Sequence, residues 1–331
     1  MKFIKKVWDY LAAVKKTTLS VDKSAGSRFA IFLDILYCRL VFHVTLREYL
    51  IYQFYNHKDR YRKNFLLRHH QRNQYPRVNN VLVTVDKYNF YSKLSDLFER
   101  EIILVPQHGE ETFLNFVEKH HTVILKPNRG SCGRGIRIIK YENDEQVLQI
   151  FRQLDEDTVC EEIIHQHEAL DKINPNSVNT IRVVSIRHDE ENIEIVSATL
   201  KSSAQRGSIV DNLSDTGIVA RIDVETGIVD SFGFDLYRKR YTYHPITGEQ
   251  IIGFRIPNWD IVVNLVKQAH SRLEENPIVG FDIAVTEKGA DIVEGNSAPG
   301  PNIMQIMDLV PRGEKILSIL NDKKQQKYQL F

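Results

Sequence analysis

The chain has 331 residues, of which 42% are hydrophobic and 26% charged, a composition unlike that of disordered, collagen-like or membrane-spanning proteins. Its net charge of +1 conceals two unlike parts, because residues 1–80 hold 16 Lys and Arg against five Asp and Glu. These residues therefore carry +11 and residues 81–331 carry −10. We expect either a basic surface that meets an anionic partner or a solvated helical face, joined to a less basic body.

The first 80 residues are predicted to be helical. Residues 29–55 contain neither Gly nor Pro and are apolar on more than one face, which predicts one or two buried helices. Charged residues interrupt this stretch, so it is not a simple membrane span. Residues 56–77 interleave Arg, Lys and His with aromatic and aliphatic residues, as suits phosphate or lipid headgroups. No nucleic-acid-binding motif accompanies them, so we expect no nucleic-acid partner.

The cysteine pattern favours a reducing, cytoplasmic setting. Cys38, Cys132 and Cys160 form no C-x-x-C pair and cannot all be joined by disulfides. The first 16 residues also lack the apolar segment and the small-residue cleavage site of a signal peptide. We therefore expect the protein to act in the cytoplasm.

Beyond Pro76, short apolar runs alternate with helical segments, a pattern typical of an α+β fold. Asp86 is predicted to cap a helix that continues to about Arg100, and Asn143 or Asp144 to cap another. Further helices are predicted at residues 109–120, 258–273, 302–309 and 313–320. Strands are predicted at residues 122–127, 135–141, 158–164, 179–186, 193–203, 217–232 with a hairpin turn at 225–227, 280–285 and 290–296.

A glycine-rich loop lies between the first two of these strands. Three glycines within residues 130–135, after Lys126, allow backbone N–H groups to converge on a phosphate, although a plain structural loop has the same composition. Gly135 is not followed by the Lys and Ser or Thr of a P-loop. A strand follows instead of the helix of a dinucleotide-binding fold, and protein-kinase motifs are absent.

A second polar group lies near the C-terminal end, at Asp282, Glu294 and Asn296. If residues 280–285 and 290–296 pair as a hairpin, Glu294 and Asn296 point to one face and Asp282 lies across from them. Two carboxylates and an amide oxygen suit Mg²⁺ that is also held by phosphates, although acids at strand ends are often only solvated. No His and Cys cluster accompanies them, so we do not expect zinc.

Taken in order, the strand lysine, the glycine-rich loop, an E-E-x-I strand and the terminal D…E-x-N-x-x-P-G array resemble the ATP-grasp superfamily. The phrases SVNTIRVVSI, VDNLSDTGIVARID and GFDIAVTEKGADIVEGNSAPG resemble its sugar-transfer-associated branch, which is found with polysaccharide-biosynthesis genes. The resemblance runs from about Val81 to Pro311. It implies two α+β subdomains that enclose ATP, at residues 81–160 and 161–331, after a basic helical region at residues 1–80.

The resemblance also implies roles for individual residues. Lys87 and Lys126 would bind the nucleotide phosphates, and Glu168 the ribose, although Lys87 and Glu168 are also compatible with ordinary surface positions. The loop that would close over the phosphates comprises Gly130, Ser131, Cys132, Gly133, Arg134 and Gly135. The strand that would bind adenine comprises Glu161, Glu162, Ile163 and Ile164. Asp282, Glu294 and Asn296 would hold Mg²⁺, with two ions expected and Mn²⁺ as a substitute.

One departure from the family pattern concerns the cation that stabilises the transferred phosphoryl group. Many amide-forming members carry an Arg two residues before the first metal-binding Asp, and that position is Gly280 here. The cation must therefore come from elsewhere. The candidates for phosphoryl stabilisation or acceptor binding are Arg182, Lys201, Arg206 and Asn212, beside Asp211. A salt-bridged sheet surface is the alternative interpretation of each.

The resemblance implies an ATP- and Mg²⁺-dependent ligase. A carboxylate would become an acylphosphate, which an amine then converts to an amide. The branch suggests a uronic acid of a capsular or other cell-surface glycan, or its lipid-linked precursor, as the acceptor. Two alternatives stay open: a kinase that phosphorylates a sugar hydroxyl, and a non-catalytic ATP-binding subunit of a glycan-assembly complex. We expect the basic region to contact anionic lipid at the cytoplasmic face of a membrane.

Overall fold

The computed structural model describes residues 2–21, 23–130, 135–154, 157–189, 192–205, 207 and 217–329. The helices in this part of the chain are α1 (Lys2–Ser20), α2 (Arg28–Val41), α3 (Leu46–Ile51), α4 (Asp59–Arg62), α5 (Arg68–Asn73), α6 (Tyr75–Val78), α7 (Leu82–Val85), α8 (Lys87–Leu94), α9 (Val105–His120), α10 (Asp144–Arg152), α11 (Glu168–Ile173), α12 (Trp259–Ser271), α13 (Pro301–Gln305) and α14 (Gly313–Gln329). The strands are β1 (Ile102–Leu104), β2 (Thr122–Pro127), β3 (Arg137–Lys140), β4 (Thr158–Glu162), β5 (Thr180–Arg187), β6 (Ile193–Ser203), β7 (Gly217–Ile222), β8 (Gly233–Phe234), β9 (Arg240–Tyr241), β10 (Ile278–Val285) and β11 (Ala290–Asn296).

The strands form two antiparallel sheets. The smaller sheet has the order β1-β4-β2-β3 and packs against α9 and α10 through Phe113, Val117 and Val147. The larger sheet has the order β11-β10-β5-β6-β7-β8-β9. Its two faces differ, because side chains alternate along each strand. Helix α12 covers one face, on which Val183 and Leu200 lie.

The N-terminal region covers part of the opposite face of the larger sheet. Val184 and Val219 on that face share a hydrophobic core with residues of α1, α2, α3, α6 and α13. Polar contacts fix the same interface: the Tyr52 hydroxyl donates to Asn302 Oδ1 at 2.8 Å, and the side chain of Gln305 bonds both to the N–H and to the carbonyl of Leu66, each at 2.9 Å. The basic region is therefore a packed part of the fold.

Most predicted elements are confirmed, and the differences come from tertiary contacts. Asp86 caps α8 by accepting from the Asn89 N–H, but the helix ends at Leu94, well before the predicted end near Arg100. In residues 217–232, the first arm forms β7, whereas the second makes only isolated bridges, from Val229 to Ile222 and from Ile228 to Arg255. Sequence patterns missed β1, β8, β9 and α11, which are all short. The division of the chain at residues 80 and 160 stays a prediction.

Two findings bear on the cellular setting. Within the described residues, no helix combines the length and the apolar character needed to cross a membrane. Cys38 and Cys160 are buried and free, and Cys132 lies outside the described residues. Burial raises the pKa of the Cys38 thiol to about 12, so this thiol stays protonated at neutral pH.

A buried histidine is expected to make the stability of the fold depend on pH. The ring nitrogens of His270 bond to Ser185 Oγ and to the carbonyl of Asn276, both at 2.7 Å. Burial lowers its pKa from 6.5 to about 4, and Arg187 acts in the same direction. The unfolded chain therefore takes up a proton first, and stability present above pH 6.5 is lost as the pH falls towards 4. Urea unfolding at pH 7.5 and 4.5 should show a loss of roughly 2 to 3 kcal/mol from this group.

Matched variants isolate the contribution of this side chain. His270→Gln has no titrating group at the site, so its free energy of unfolding should fall less between the two pH values than that of the wild type. His165→Gln removes an exposed histidine and should leave the wild-type pH dependence unchanged. Equal pH dependence in the wild type and His270→Gln would contradict the assignment.

Candidate active site

A cavity of about 310 Å³ lies between the two sheets, beside α7 and α8. Residues of β1 and β4 in the smaller sheet line it together with residues of β11 in the larger sheet. Of the residues predicted from sequence, Lys87, Gly130, Glu161, Glu294 and Asn296 belong to its lining. Elements far apart in the chain thus bring two groups of predicted residues, one phosphate-binding and one metal-binding, to a single cavity.

Lys87 lies at the first position of α8, directly after the capping residue Asp86. Its Nζ donates to the carbonyl oxygens of Pro127 at 2.9 Å and of Asn128 and Gly130 at 3.2 Å. Burial lowers the pKa of Lys87, an effect that the carboxylate of Glu294 partly offsets. The ammonium group is therefore fixed where β2 enters the glycine-rich loop.

Glu161 on β4 lies between two cations. Its Oε2 accepts from Lys126 Nζ at 2.7 Å and from the Arg100 guanidinium at 3.1 and 3.2 Å. Burial alone would raise the pKa of Glu161, but the charges of Lys126 and Arg100 outweigh it and lower the pKa. Arg100 also donates to Asp291 Oδ2 on β11 at 2.6 Å. This ion-pair cluster joins the two sheets behind the cavity.

The other residues predicted to bind adenine and ribose lie outside the lining of this cavity. Glu162 ends β4 and accepts from the backbone N–H of Glu101 at 3.2 Å. Ile163 and Ile164 follow it and are half-buried. Glu168 begins α11 with an exposed side chain. Their roles stay predictions that depend on the resemblance.

Several predicted residues fall outside the described part of the chain. Gly130 and Gly135 are described at the two ends of the glycine-rich loop. The predicted residues that lie outside the description are Ser131, Cys132, Gly133, Arg134, Arg206, Asp211 and Asn212. Their roles also stay predictions.

Asp282 on β10 is the centre of the second group. It is buried and accepts from Arg182 Nε at 2.5 Å, from Arg182 Nη2 at 2.7 Å and from Lys201 Nζ at 3.0 Å. The three residues lie on one face because Asp282 pairs with Arg182 across β10 and β5, and β6 follows. Burial would raise the pKa of Asp282, but the two cations and their hydrogen bonds lower it well below its usual range.

Glu294 and Asn296 extend this group along β11. Glu294 pairs with Asp282 and Asn296 with Gly280 across the hairpin, so the predicted pairing of the two strands is confirmed. The Glu294 side chain is 45% exposed, but protein atoms surround its carboxyl end, and this burial and the nearby charge of Asp282 raise its pKa. Arg182 Nη2 lies 3.8 Å from Glu294 Oε1, and Asn296 Oδ1 accepts from the Ala298 N–H at 2.8 Å. The two carboxyl groups of Asp282 and Glu294 thus lie close together, with the Arg182 guanidinium beside them.

The side chain of Arg182 lies over Gly280, the position of the departure from the family pattern. A Cβ atom at Gly280 would lie 2.9 Å from Pro299 Cβ and 3.3 Å from Arg182 Cδ. A larger residue at 280 would therefore displace Arg182, because well-packed sites have little spare volume. Arg182 thus reaches the space over Gly280 from the neighbouring strand β5, where its guanidinium bonds to Asp282.

The family model described as sugar-transfer associated ATP-grasp matches residues 60–317. The chain belongs to this family. The match includes β1 to β11 and leaves α1 to α3 outside it. The two sheets and the cavity between them are the ATP-grasp part of the molecule.

Solved structures of two ligases and a carboxylase are among those similar to this ATP-grasp chain. D-alanine–D-alanine ligase from Bacillus anthracis has 15% identity and a TM-score of 0.42, over 74% of this chain and 67% of that one. The ATP-grasp ligase PsnB, solved with a minimal precursor, has 13% identity and a TM-score of 0.43, over 72% and 60%. Biotin carboxylase from Campylobacter jejuni has 13% identity and a TM-score of 0.47, over 73% and 46%.

These likenesses concern the fold alone. The chain spans between 46% and 67% of the length of these three structures. No curated protein matches the chain.

The donor groups of the ATP-grasp site fit a hard divalent cation held jointly with phosphate oxygens. Within the described residues, no group of three or more His, Cys, Asp and Glu side chains is placed to hold a metal by itself. Asp282 and Glu294 supply two carboxylates, and Asn296 supplies an amide oxygen that has a second lone pair. Mg²⁺ commonly takes one or two carboxylates and completes its shell with water and substrate phosphates.

Phe90 and Gly295 face each other in the cavity wall, and this contact leads to a prediction. A Cβ atom at Gly295 would lie 2.5 Å from the Phe90 ring. Gly295→Ala is therefore expected to lower the free energy of unfolding by about 1 to 3 kcal/mol, because overpacking forces side chains out of position. It should also weaken nucleotide binding, since the displaced ring lines the cavity. Urea unfolding and equilibrium dialysis of ADP would measure the two effects.

Gly300→Ala is the matched control. No atom lies within 4 Å of a Cβ at Gly300, and its φ of −64° suits any residue. We expect a change below about 1 kcal/mol in the free energy of unfolding and unchanged ADP binding. Equal effects of the two variants would show that the Phe90 contact is irrelevant to the site.

Sequence patterns missed two residues that support the site. Arg100 follows a short helix and stands among other charged residues, so nothing local indicated that it would be buried. Gln71 on α5 donates to the carbonyl of Ala298 at 2.5 Å, and the Ala298 N–H in turn donates to Asn296. The N-terminal region therefore holds the loop that follows Asn296. Only the three-dimensional arrangement could identify either contact.

Proposed function

We propose that this chain is an ATP- and Mg²⁺-dependent ligase that joins a carboxylate to an amine through an acylphosphate. One observation carries the proposal. Lys87, Glu161 and Glu294 belong to the lining of one cavity. Asp282 lies across the hairpin from Glu294 and bonds to Arg182 and Lys201. Membership of the ATP-grasp family supports the use of ATP.

One set of residues would bind the nucleotide, and a second set would act at the reaction centre. Lys87 and Lys126 would bind the nucleotide phosphates, and the strand from Glu161 to Ile164 with Glu168 would hold adenine and ribose. Mg²⁺, as one or two ions, would be held by Asp282, Glu294 and Asn296 and would offset the phosphate charge. Mn²⁺ has the same ligand preference and would be able to replace it.

Arg182 and Lys201 bring two positive charges to the place where the γ-phosphoryl group would be transferred. Fixed cations at such a place stabilise the charge that develops during transfer. Arg206 and Asn212 are proposed to assist from the segment after β6. Because Arg182 lies over Gly280, the missing family arginine has a local substitute, which favours the ligase over a kinase.

The reaction balances without a further reagent. A carboxylate oxygen of the acceptor attacks the γ-phosphorus, and the bond to the ADP oxygen breaks. The amine then attacks the acyl carbon, phosphate leaves, and the nitrogen loses a proton to give the amide. The loop from Gly130 to Gly135, whose first residue is fixed by Lys87, would exclude water that otherwise hydrolyses the acylphosphate.

The acceptor is proposed to be a uronic acid of a cell-surface or capsular polysaccharide, or of its lipid-linked precursor. The family description associates the fold with sugar transfer, and the partner would be an amino acid or another amine. The enzyme would act at the cytoplasmic face of the membrane, with its basic N-terminal region towards anionic lipid. No nucleic acid takes part in this proposal.

The experiment uses the full chain with ATP, Mg²⁺, an oligosaccharide that contains glucuronic acid, and hydroxylamine as the trapping amine. Formation of ADP, phosphate and a sugar hydroxamate in equal amounts would support the ligase. A stable phosphorylated sugar in the absence of amine would replace it with the kinase. Nucleotide binding without any turnover, tested over a panel of uronic acids and amines, would favour the non-catalytic subunit.

A further inference from the structure

Helix α2 has two apolar faces, and only one of them packs into the protein. Ile31, Ile35 and Cys38 are buried in the core of the N-terminal region. The opposite face bears the exposed side chains of Phe29, Leu33, Tyr37, Leu40 and Val41. At 100° per residue these positions form one continuous stripe along the helix. Phe29 and Leu40 are 72% and 77% exposed, which is unusual for such large apolar side chains.

The charged residues of α2 do not interrupt the stripe. Asp34 accepts two hydrogen bonds from Arg62, at 2.7 and 2.8 Å. Arg28 reaches across to the carbonyls of Thr18 and Val21 on the α1 side. The polar atom that the stripe carries, the Tyr37 hydroxyl, donates to Asp59 at 2.6 Å. The stripe therefore offers apolar contact and little hydrogen bonding to a partner.

Helix α1 packs beside α2 and adds an aromatic and basic surface. Trp8 is 67% exposed, and Lys15 and Leu19 lie seven and eleven residues further on, which places them on the same side of the helix. Lys5 and Lys16 are exposed close to this side. We call the α2 stripe together with this side of α1 the α1–α2 face.

Three acidic residues of the N-terminal region bond within it and Asp9 is exposed on α1, whereas most of its basic residues face solvent. Asp34 and Asp59 pair with Arg62, and Glu48 is buried where it caps α3 and accepts from the Arg68 N–H. The exposed basic residues are Lys5, Lys6, Lys15, Lys16, Arg39, Arg47, Lys58, Arg60, Lys63, Arg68, Arg72 and Arg77. Among the described residues, the outer surface of this region thus keeps the strong excess of positive charge that the composition indicates, with Asp9 and Asp59 as exposed acids.

We propose that the α1–α2 face binds the surface of an anionic lipid membrane, with the stripe of α2 inserted at the level of the headgroups. Basic residues around an apolar helix face, with an exposed Trp, are the features that hold a helix in a membrane interface. A protein interface normally includes about ten direct hydrogen bonds, whereas the Tyr37 hydroxyl of the stripe is already bonded to Asp59. The basic residues around the stripe complement anionic headgroups, and the stripe itself offers little hydrogen bonding to a protein. Both observations favour lipid.

The binding surface is separate from the catalytic residues. The family match begins at residue 60, so α1 and α2 lie outside it. The N-terminal region nevertheless packs on the sheet that carries Asp282. Binding through this face would therefore hold the cavity close to the membrane. Failure of membrane binding would leave the proposed ligase reaction untouched, because soluble acceptors test that reaction.

The experiment measures co-sedimentation of the full chain with vesicles of phosphatidylcholine alone and of phosphatidylcholine mixed with phosphatidylglycerol. The wild type should bind the mixed vesicles, release with added salt, and show a blue shift of Trp8 fluorescence. Leu40→Ser should bind about tenfold more weakly, as expected for the loss of one inserted leucine. Lys15→Glu with Lys16→Glu should also bind more weakly, and the salt dependence should decrease.

Leu82→Ser is the matched control, because Leu82 is 71% exposed on α7, away from α1 and α2. It should bind vesicles like the wild type. Thermal unfolding of Leu40→Ser at the wild-type temperature shows that the helix is intact, and Phe29→Ser replaces it if that temperature falls. Equal binding of the wild type and the stripe variants overturns the proposal. So does a wild-type dimer that Leu40→Ser converts to a monomer, since the stripe is then an interface between two copies.

Discussion

Replacing Glu294 with Gln is expected to lower the rate of ADP formation about 100-fold or more. The variant keeps the shape of the side chain but removes the carboxylate that lines the cavity and lies close to Asp282 and Arg182. Charge stabilisation by a held metal ion is worth several kcal/mol, which corresponds to two or more powers of ten in rate. The measurement is ADP release with saturating ATP, Mg²⁺, acceptor and amine.

The fold of this variant should remain intact, because the Glu294 side chain is 45% exposed. The binding of ADP in the absence of Mg²⁺ should be close to that of the wild type, which separates a reaction defect from a folding defect. Glu249 is exposed and distant in sequence from Glu294. Glu249→Gln therefore serves as the matched control and should be fully active. A fully active Glu294→Gln would remove this residue from the reaction.

Replacing Arg100 with Met should be the most destabilising single change in the cavity wall. Arg100 is buried and bonds to Glu161, to Asp291 and to the carbonyl of Ile292 at 2.7 Å. Methionine fills much of the space but leaves Asp291 without its cation. Removing one partner of a buried ion pair typically costs 3 to 5 kcal/mol, so we expect about that loss in the free energy of unfolding. Urea unfolding at neutral pH measures it.

Arg272→Met provides the comparison. Arg272 forms a two-pronged pair with Asp96 at the surface, where the arginine side chain is 39% exposed and the aspartate 66%. Water screens exposed pairs, which contribute little to stability, so the loss should be much smaller than that of Arg100→Met. Similar losses for the two variants would mean that the cluster around Arg100 does not hold the sheets together.

The parts of the site that local chemistry determines could be predicted from the sequence. A turn at Lys288 and Gly289 between two apolar strands specifies a hairpin, and the alternation of side chains then brings Asp282, Glu294 and Asn296 to one place. The β2 strand and the glycine-rich loop after it can also be predicted from their own residues. These features depend on residues close in sequence or on the period of a strand.

The parts that depend on the order of strands could not be predicted. Arg182 reaches Gly280 only because β5 and β10 are neighbours in the larger sheet. Arg100 is buried only because β4 and β11 approach it from two different sheets. The exposure of one face of α2 could likewise not be predicted, since an apolar residue in a helix normally indicates burial. In each case the deciding partner lies in a distant part of the chain.

The packing of the N-terminal region on the sheet also determines when the protein can fold. Tyr52 bonds to a residue 250 positions away, and Asn79 to one 218 positions away. Closing such long loops costs conformational entropy before the contacts that offset this cost have formed, so folds rich in distant contacts form slowly. During synthesis, the core that contains apolar residues of the first 80 positions is complete only after residues 303–320 have emerged. The interval before that completion is the time when this chain is most exposed to aggregation.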